Sequence, residues 1–429
     1  MASQSSSAPQ PASLSVSFLV IGGGVGGLAC ALALTRIGHK VTVLEKGDGT
    51  SIRGEGGVRL PPNLTKILFH WGLAEHLLSK AYTTNSILFT RYETGDMLGK
   101  QVWCTELLKE AGGEFSLISH SELHKMLHDA VLAAGVVIRT NAEVTELDME
   151  ARQVVLASGE VLSADVFVGA DGEFGLCRAA VAGEQRSRGT ATGIVMYQTV
   201  IRGQQLPPER YEEMKAAKDA VRVAFGSGRA MIVYPIHKGK DFALQVYRSD
   251  ECVEGRYGSR PSVELSQLPL GCRPLLQDLT DSASTAVRLP IRDHRDLEDW
   301  VDDEGRLVLI GEAAHPFVPG SIQATAMAIE DGAVLAKLFS HLIKEDQIES
   351  FLYAFQELRQ ARTATVRATE FGNVFYMISE DGESDMWIRL EDEADNWWVE
   401  WGLLRERARQ QNDGLNCAPS FFMGIQALA

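Results

Sequence analysis

Three glycines and an acid carry the first chemical signal of the chain. Gly22, Gly24 and Gly27 stand in a Gly-x-Gly-x-x-Gly spacing after the apolar run Phe18-Leu19-Val20-Ile21, and Glu45 closes a second apolar run, Val41-Thr42-Val43-Leu44. A strand, a tight turn, a helix and a second strand ending in an acid about twenty residues on form the pattern of a dinucleotide site. Gly22 permits the turn, Gly24 allows backbone to approach a pyrophosphate, and Gly27 allows the helix to pack closely on the strand. The pyrophosphate is expected at the helix N-terminus, where backbone N–H groups and the macrodipole favour negative charge. Glu45 is placed to accept hydrogen bonds from both ribose hydroxyls and to repel a 2′-phosphate, so the site reads as one for FAD or NAD rather than NADP. A glycine turn that merely packs helix on strand is the plainer reading; the register of strand, helix and acid argues against it.

The surrounding sequence supplies the elements that position these groups. Leu28, Ala31 and Leu32 give the helix after the turn its apolar face. A polar loop spans 47–57, and Val58-Arg59-Leu60-Pro61-Pro62-Asn63 leads into an amphipathic helix ending near Trp71-Gly72. A strand is expected at 86–91. Leu123, Met126, Leu127 and Val131 recur at helical spacing, with Ser119 or Ser121 as the cap. Short strands are expected at 136–139, 142–148 and 153–156, with a hairpin turn at Ser158-Gly159. A buried strand at 164–170 then ends in Asp171-Gly172. Between about 190 and 290, alternating strands, clearest at 194–201, 230–235 and 242–247, read as an antiparallel sheet inserted into the nucleotide-binding pattern. An apolar strand returns at 306–310, a long helix runs from 324 to about 342, and 345–401 reads as helical, with tryptophans at 387, 397, 398 and 401 closing a core or an interface.

Composition bounds the partners. A chain of 429 residues is long enough for two domains, and a formal net charge of −16 argues against nucleic acid or an anionic membrane. A small anionic substrate would require a local basic pocket. The six cysteines, at 30, 104, 177, 252, 272 and 417, form no CxxC pair, and no secretory pattern precedes them, so reduced thiols and a cytoplasmic location are expected. No apolar run is long enough to span a bilayer. The first 14 residues, rich in Ser, Ala and Pro, read as a disordered tail.

Four separated blocks, in order, resemble the single-component, FAD-dependent aromatic hydroxylases of the salicylate and 4-hydroxybenzoate hydroxylase type, over about residues 15 to 370. The glycine turn with Glu45 matches the family's FAD pyrophosphate and ribose site. Gly57-Val58-Arg59-Leu60-Pro61-Pro62-Asn63 resembles its post-ribose loop, with Val58 beside the cofactor. The stretch from Asp165 to Arg178 resembles its Asp-Gly motif, which implies Asp171 near the ribityl chain or pyrophosphate. Gly311-Glu312-Ala313-Ala314-His315-Pro316-Phe317-Val318-Pro319 resembles its Gly-Asp-Ala-Ala-His-Pro block. That match implies Glu312 at the ribityl chain, Pro319 beside the isoalloxazine, and the backbone near Ala324 and Thr325 at the flavin's pyrimidine edge, where helix N–H groups stabilise negative charge. His315 belongs to this block and receives no catalytic role.

The implied fold is α/β: a Rossmann-like FAD-binding domain of the glutathione-reductase type, with an inserted, mainly antiparallel β-sheet substrate domain and C-terminal helices. The expected boundaries are 15–85, 112–190 and 291–344 for the discontinuous FAD-binding domain, 86–111 and 191–290 for the substrate sheet, and 345–429 for the helical region. Departures from the family pattern are His120 for an arginine at the adenine half of FAD, Gly175 for a serine, Glu312 for an aspartate and Ala324 for a glycine. In one branch of the family a Tyr-Arg pair and a later Tyr-Pro meet the substrate; here they read Tyr197-Gln198 and Tyr234-Pro235. Tyr234, Gln198 and Tyr197 are thus the candidate substrate-side residues. Ordinary sheet packing is the alternative for both tyrosines. His237, in a Lys/Gly loop, reads as solvated.

The resemblance implies a cycle in which NADH or NADPH reduces FAD, O2 is captured at flavin C4a, and the distal oxygen passes to an electron-rich ring. Only one dinucleotide fingerprint is present, so the nicotinamide is expected to dock transiently. The substrate is expected to be a small phenol or phenolic acid, within secondary metabolism, and the protein a monomer or homodimer. Replacement of the substrate-side arginine by Gln198 keeps open epoxidation, ring expansion or oxidation. A flavin-binding protein without turnover is the third reading.

Overall fold

In the computed structural model the described residues are 11–49, 56–183, 189–216, 220–226, 228–249, 262–263, 274–283 and 285–378. The four C-terminal tryptophans lie outside them.

The glycine turn sits at the end of the central strand of a five-stranded parallel sheet. Its order is Leu307–Leu309, Val166–Gly169, Ser17–Ile21, Lys40–Leu44, Val137–Arg139. Parallel strands covered on both faces require near-continuous apolar runs. Phe18, Val20, Val43, Val166, Phe167, Val168 and Leu307 to Leu309 are accordingly buried. The helix Val25–Arg36 follows the turn, and the helix His120–Ala133 packs against it. Ser119 caps the latter by accepting the Glu122 N–H at 3.2 Å, so of the two serines considered Ser119 is the cap.

A second, eight-stranded sheet takes its strands from two stretches of chain. Its order is Ser262–Val263, Ala286–Asp293, Thr190–Arg202, Asp241–Ser249, Arg229–Ile236, Ala220–Gly226, Ser86–Arg91, Met97–Val102. The pairings are antiparallel except for Ala220–Gly226 against Ser86–Arg91, which run parallel. Side chains alternate between its two faces. The inner face, including Met196, Ile232, Tyr234, Ala243 and Tyr247, packs with Val318 and Ile322 of the long helix's approach. The outer face, including Val195, Tyr197, Met231, Val233 and Leu244, is covered by Met214 of the helix Pro208–Ala216 and by Leu275 and Leu279 of the helix Pro274–Asp281.

Two helices close the nucleotide-binding part, Gln323–Phe339 and Ile348–Ile378. A buried charge network joins them. Arg359 donates to Asp331 at 2.7 Å and to Glu330 at 2.9 Å, while Arg362 and Asn63 also bond Glu330. One boundary and three elements differ from expectation. Ala12 and Leu14 donate to the carbonyls of Ile37 and Leu342, so the stretch expected as a tail to residue 14 is tied to the body from residue 12. The strands Ala220–Gly226 and Ala286–Asp293 and the helix Pro208–Ala216 lie outside the expected elements; the second strand is interrupted by Pro290, and the helix has a polar composition with little periodicity.

Candidate flavin and substrate site

At the glycine turn, local geometry separates the three roles. Gly22 has a φ of +115°, and a Cβ there would lie 2.2 Å from the Ala170 carbonyl oxygen. A Cβ at Gly27 would lie 2.0 Å from the Gly22 oxygen. At Gly24 a Cβ would meet nothing within 4 Å, so this position faces open space at the N-terminus of Val25–Arg36. That helix start has no side-chain cap and no acid in its first turn, which leaves its N–H groups to an anion. Glu45 accepts the N–H of Gly23 at 2.9 Å and of Gly47 at 2.7 Å, one on each oxygen. Each oxygen retains acceptor capacity for a hydroxyl.

His120 opens its helix and donates its N–H to the Gly56 carbonyl at 2.9 Å. One turn on, His124 Nε2 donates to the Gly23 carbonyl at 2.8 Å, which ties that helix to the turn. His124 was not singled out from sequence, since a histidine in a polar helix face carries no spacing signal.

The Asp-Gly segment lies directly behind the turn, the Asp171 nitrogen standing 3.0 Å from a Cβ built at Gly22. Asp171 Oδ2 accepts the Cys177 N–H at 2.9 Å, while its Oδ1 is buried without a hydrogen-bond partner among the described residues. Burial raises the Asp171 carboxyl above its ordinary range, against the pull of the Cys177 N–H. The departure at Gly175 has a physical reason: a Cβ there would sit 2.1 Å from the Asp171 carboxyl carbon. Arg178, fully buried, donates to the carbonyls of Ala313 at 2.8 Å and Ala314 at 3.1 Å. Burial lowers its guanidinium to about 10. The third block is thereby fixed to the fourth.

In the fourth block Glu312 is exposed in the tight helical turn Gly311–Ala313, and Pro319 is half-buried with its carbonyl accepting from Tyr247 Oη at 3.2 Å. His315 is buried with its Nε2 hydrogen-bonded to Asp331 Oδ2 at 2.6 Å, while Asp331 also accepts the Gly311 N–H at 2.8 Å. His315 is thus a scaffold of the loop. Ala324 and Thr325 lie half-buried in the first turn of Gln323–Phe339. Of the N–H groups at that helix start, those of Ile322 and Gln323 are accepted by the buried Glu370 carboxylate, at 3.0 and 3.3 Å.

The inner face of the large sheet meets these cofactor blocks at one patch. The Gln198 side chain lies against Gly56, where a Cβ would come 1.8 Å from Nε2. Tyr234 lies against Gly57, where a Cβ would come 2.6 Å from Cε2. Gly320, with a φ of +80°, packs so tightly on Tyr247, Met196 and Gln245 that a Cβ would stand 2.3 Å from Tyr247 Oη. Gln198 and Gln245 are directly opposed on neighbouring strands, and Met196 opposes Tyr247. Val58 is half-buried on the strand Gly57–Leu60 beside this patch. Burial pushes the Tyr234 phenol up to about 12 in spite of the nearby Arg59 guanidinium.

Tyr197 requires correction. Alternation along Thr190–Arg202 turns it to the outer face, buried with Val195, Ile201 and Leu244. It is not brought together with Tyr234 and Gln198. His237 stands at the rim of the sheet, its Nδ1 2.7 Å from Asp241 and its Nε2 3.7 Å from Glu122. A cavity of about 170 Å³ also lies on the outer face, between Met231, Val233, Leu275 and Leu279, remote from the cofactor blocks.

The structure adds residues that sequence did not suggest. The buried Arg59 donates to the Gly320 carbonyl, and its guanidinium lies 5.7 Å from the Tyr234 ring centroid. A cation is therefore present at the patch, supplied by the post-ribose strand rather than by position 198. Tyr247, Gln245 and Glu370 complete the surroundings. For Tyr247 and Gln245 the signal was a glutamine within the apolar run Phe242 to Tyr247 of the strand Asp241–Ser249; Glu370, on the helix Ile348–Ile378, carried none.

The open space at Gly24, the uncapped helix start and the orphaned Asp171 oxygen fit a dinucleotide cofactor. The family model described as FAD binding domain matches residues 15–369. The chain belongs to this family, that of the FAD-dependent aromatic hydroxylases, and it is an enzyme of the FAD-dependent monooxygenase type. Among its relatives, FAD-dependent monooxygenase OpS4 of Beauveria bassiana is 28% identical over 81% of this chain and 82% of that protein. The 3-hydroxybenzoate 6-hydroxylase 1 of Aquipseudomonas alcaligenes is 29% identical over 86% of this chain and 91% of that protein. In fold, the crystal structure of CtdE in complex with FAD and substrate 4 matches with a TM-score of 0.77 at 20% identity, covering 86% of this chain and 92% of that one. A salicylate hydroxylase substrate complex matches with a TM-score of 0.70 at 19% identity, over 96% and 97%. Among the described residues no helix is long and apolar enough to cross a membrane.

Proposed function

We propose that the enzyme uses NADH or NADPH and O2 to insert one oxygen atom into an electron-rich, phenolic small molecule. One observation carries the reading: the polar residues of an otherwise apolar sheet face, Gln198, Tyr234 and Gln245, lie against Gly56-Gly57 and Gly320, segments of the cofactor blocks. FAD supplies the redox and oxygen-transfer chemistry when bound. Gly24, the start of Val25–Arg36, Glu45, His120 and Asp171 would hold its adenosine and pyrophosphate half. Val58, Glu312, Pro319, Ala324 and Thr325 would hold the ribityl and ring half. Tyr234 remains protonated at neutral pH and orients a substrate oxygen as a donor. Arg59, 5.7 Å from the Tyr234 ring centroid, places a positive charge beside that hydroxyl's ring. The buried apolar face around them excludes water.

The test is a panel of phenols added to FAD-loaded protein, following NAD(P)H consumption and product mass under ¹⁸O2. One labelled oxygen per product is expected. The proposal fails if no phenol stimulates NAD(P)H oxidation, or if the product of a stimulating phenol is unlabelled. The persistence of Tyr234 opposite Arg59 favours hydroxylation over the epoxidation and oxidation alternatives.

A further inference from the structure

Gln245 is a member of the patch with a fully buried acceptor left unmade among the described residues. It is 1% exposed, on the inner face of Asp241–Ser249, directly opposite Gln198 and next to Gly320. Its Nε2 donates to Tyr234 Oη at 3.5 Å, the long end of hydrogen-bond distance, and its Oε1 is buried with no partner among the described residues. A buried acceptor left unmade costs about 1–3 kcal/mol. In a strand otherwise filled by Phe242, Ala243, Leu244 and Val246, an apolar residue would avoid that cost.

Because Tyr234 Oη accepts from Gln245, its own proton is available for a second hydrogen bond. The pair thus presents a donor, the Tyr234 hydroxyl, beside an acceptor, Gln245 Oε1. We propose that Tyr234 and Gln245 together read a neutral hydroxyl on the aromatic substrate, which donates to Gln245 Oε1 and accepts from Tyr234. This rests on the proposed substrate site and makes Gln245 a specificity-determining residue. The recognised group must carry its own proton. A methyl ether satisfies Tyr234 only and leaves Gln245 Oε1 unpaired, and sites built around such hydrogen bonds discriminate strongly against analogues that lack the donor.

The experiment measures dissociation constants from perturbation of the flavin absorbance of the FAD-loaded protein, without turnover. The probes are one- and two-ring phenols, each paired with its methyl ether. The wild type is expected to favour the phenol by about tenfold or more. In Gln245→Met, which keeps the side-chain length, the preference should shrink to within about threefold while FAD content per chain is unchanged. Tyr234→Phe probes the other half: it should weaken phenol and ether alike, because both lose the donor. An unaltered phenol preference in a flavin-replete Gln245→Met protein overturns the inference, as does equal affinity for phenol and ether in the wild type. A protein that takes up FAD but shows no spectral response to any aromatic overturns the substrate site itself, and the inference with it. Should Gln245→Met fail to retain FAD, the wild-type ratio together with Tyr234→Phe still decides.

Discussion

At the scale of single residues, the fingerprint glycines are alike in sequence and unlike in physics. Gly24 has an ordinary φ of −72° and open space where a Cβ would go, whereas a Cβ at Gly27 would run into the Gly22 carbonyl. Gly24→Ala is therefore expected to leave apo-protein stability within about 0.5 kcal/mol while weakening FAD binding, since the methyl group would enter the open space at the helix start that the proposed pyrophosphate site requires. Gly27→Ala should cost roughly 1–3 kcal/mol of stability by forced backbone shift. Urea unfolding of the apo-proteins alongside FAD titration separates the two; equal stability losses would refute the assignment of Gly24 to the ligand side. Spacing made these glycines legible from sequence alone. The substrate side was legible only in part. Tyr197 and Tyr234 are equally plausible as isolated letters, and only pairing register decides that one faces outward and the other inward.

At the scale of elements, the helices Gln323–Phe339 and Ile348–Ile378 are held by charge in a dry interior. Burial alone would raise the Asp331 carboxyl, but His315 and Arg359 outweigh it and hold it at about 2. Arg359→Met removes one partner and leaves Glu330 and Asp331 short of a cation, so a loss of about 3–5 kcal/mol is expected in denaturant unfolding. A loss below about 1 kcal/mol would show that the network contributes little. The pH dependence has a definite sign. A carboxyl held below its unfolded value of 3.8 stabilises the fold above that pH, and the contribution is lost as pH falls toward about 2. Acid unfolding should therefore steepen in that window, and Asp331→Asn should abolish that component. None of this was readable from periodicity, because the partners are 28 and 29 residues apart and their pairing is set by helix packing. The helices themselves were readable, with the first beginning at Gln323 rather than Ala324.

At the scale of the molecule, the sheet and the nucleotide-binding part share a seam. Gly56, Gly57 and Gly320 belong to cofactor segments yet are packed against Gln198, Tyr234 and Tyr247, and Arg59 reaches across to the Gly320 carbonyl. Glu370, far along the last described helix, accepts N–H groups at the start of Gln323–Phe339. A ligand that orders these segments must therefore stabilise the sheet as well as the Rossmann-like part. With FAD at a hundredfold excess over its dissociation constant, the gain should be about 2.7 kcal/mol. It should appear as an upward shift of one cooperative transition, read at once by far-ultraviolet circular dichroism and by tryptophan fluorescence. Gly320→Ala tests the seam directly. Its φ of +80° and the 2.3 Å approach to Tyr247 Oη leave no place for the methyl group, so the loop must lift from the sheet. Splitting of the transition into two in Gly320→Ala, with FAD shifting only one of them, is the expected result. A single transition shifted by FAD as fully as in the wild type would mean that the two parts communicate elsewhere.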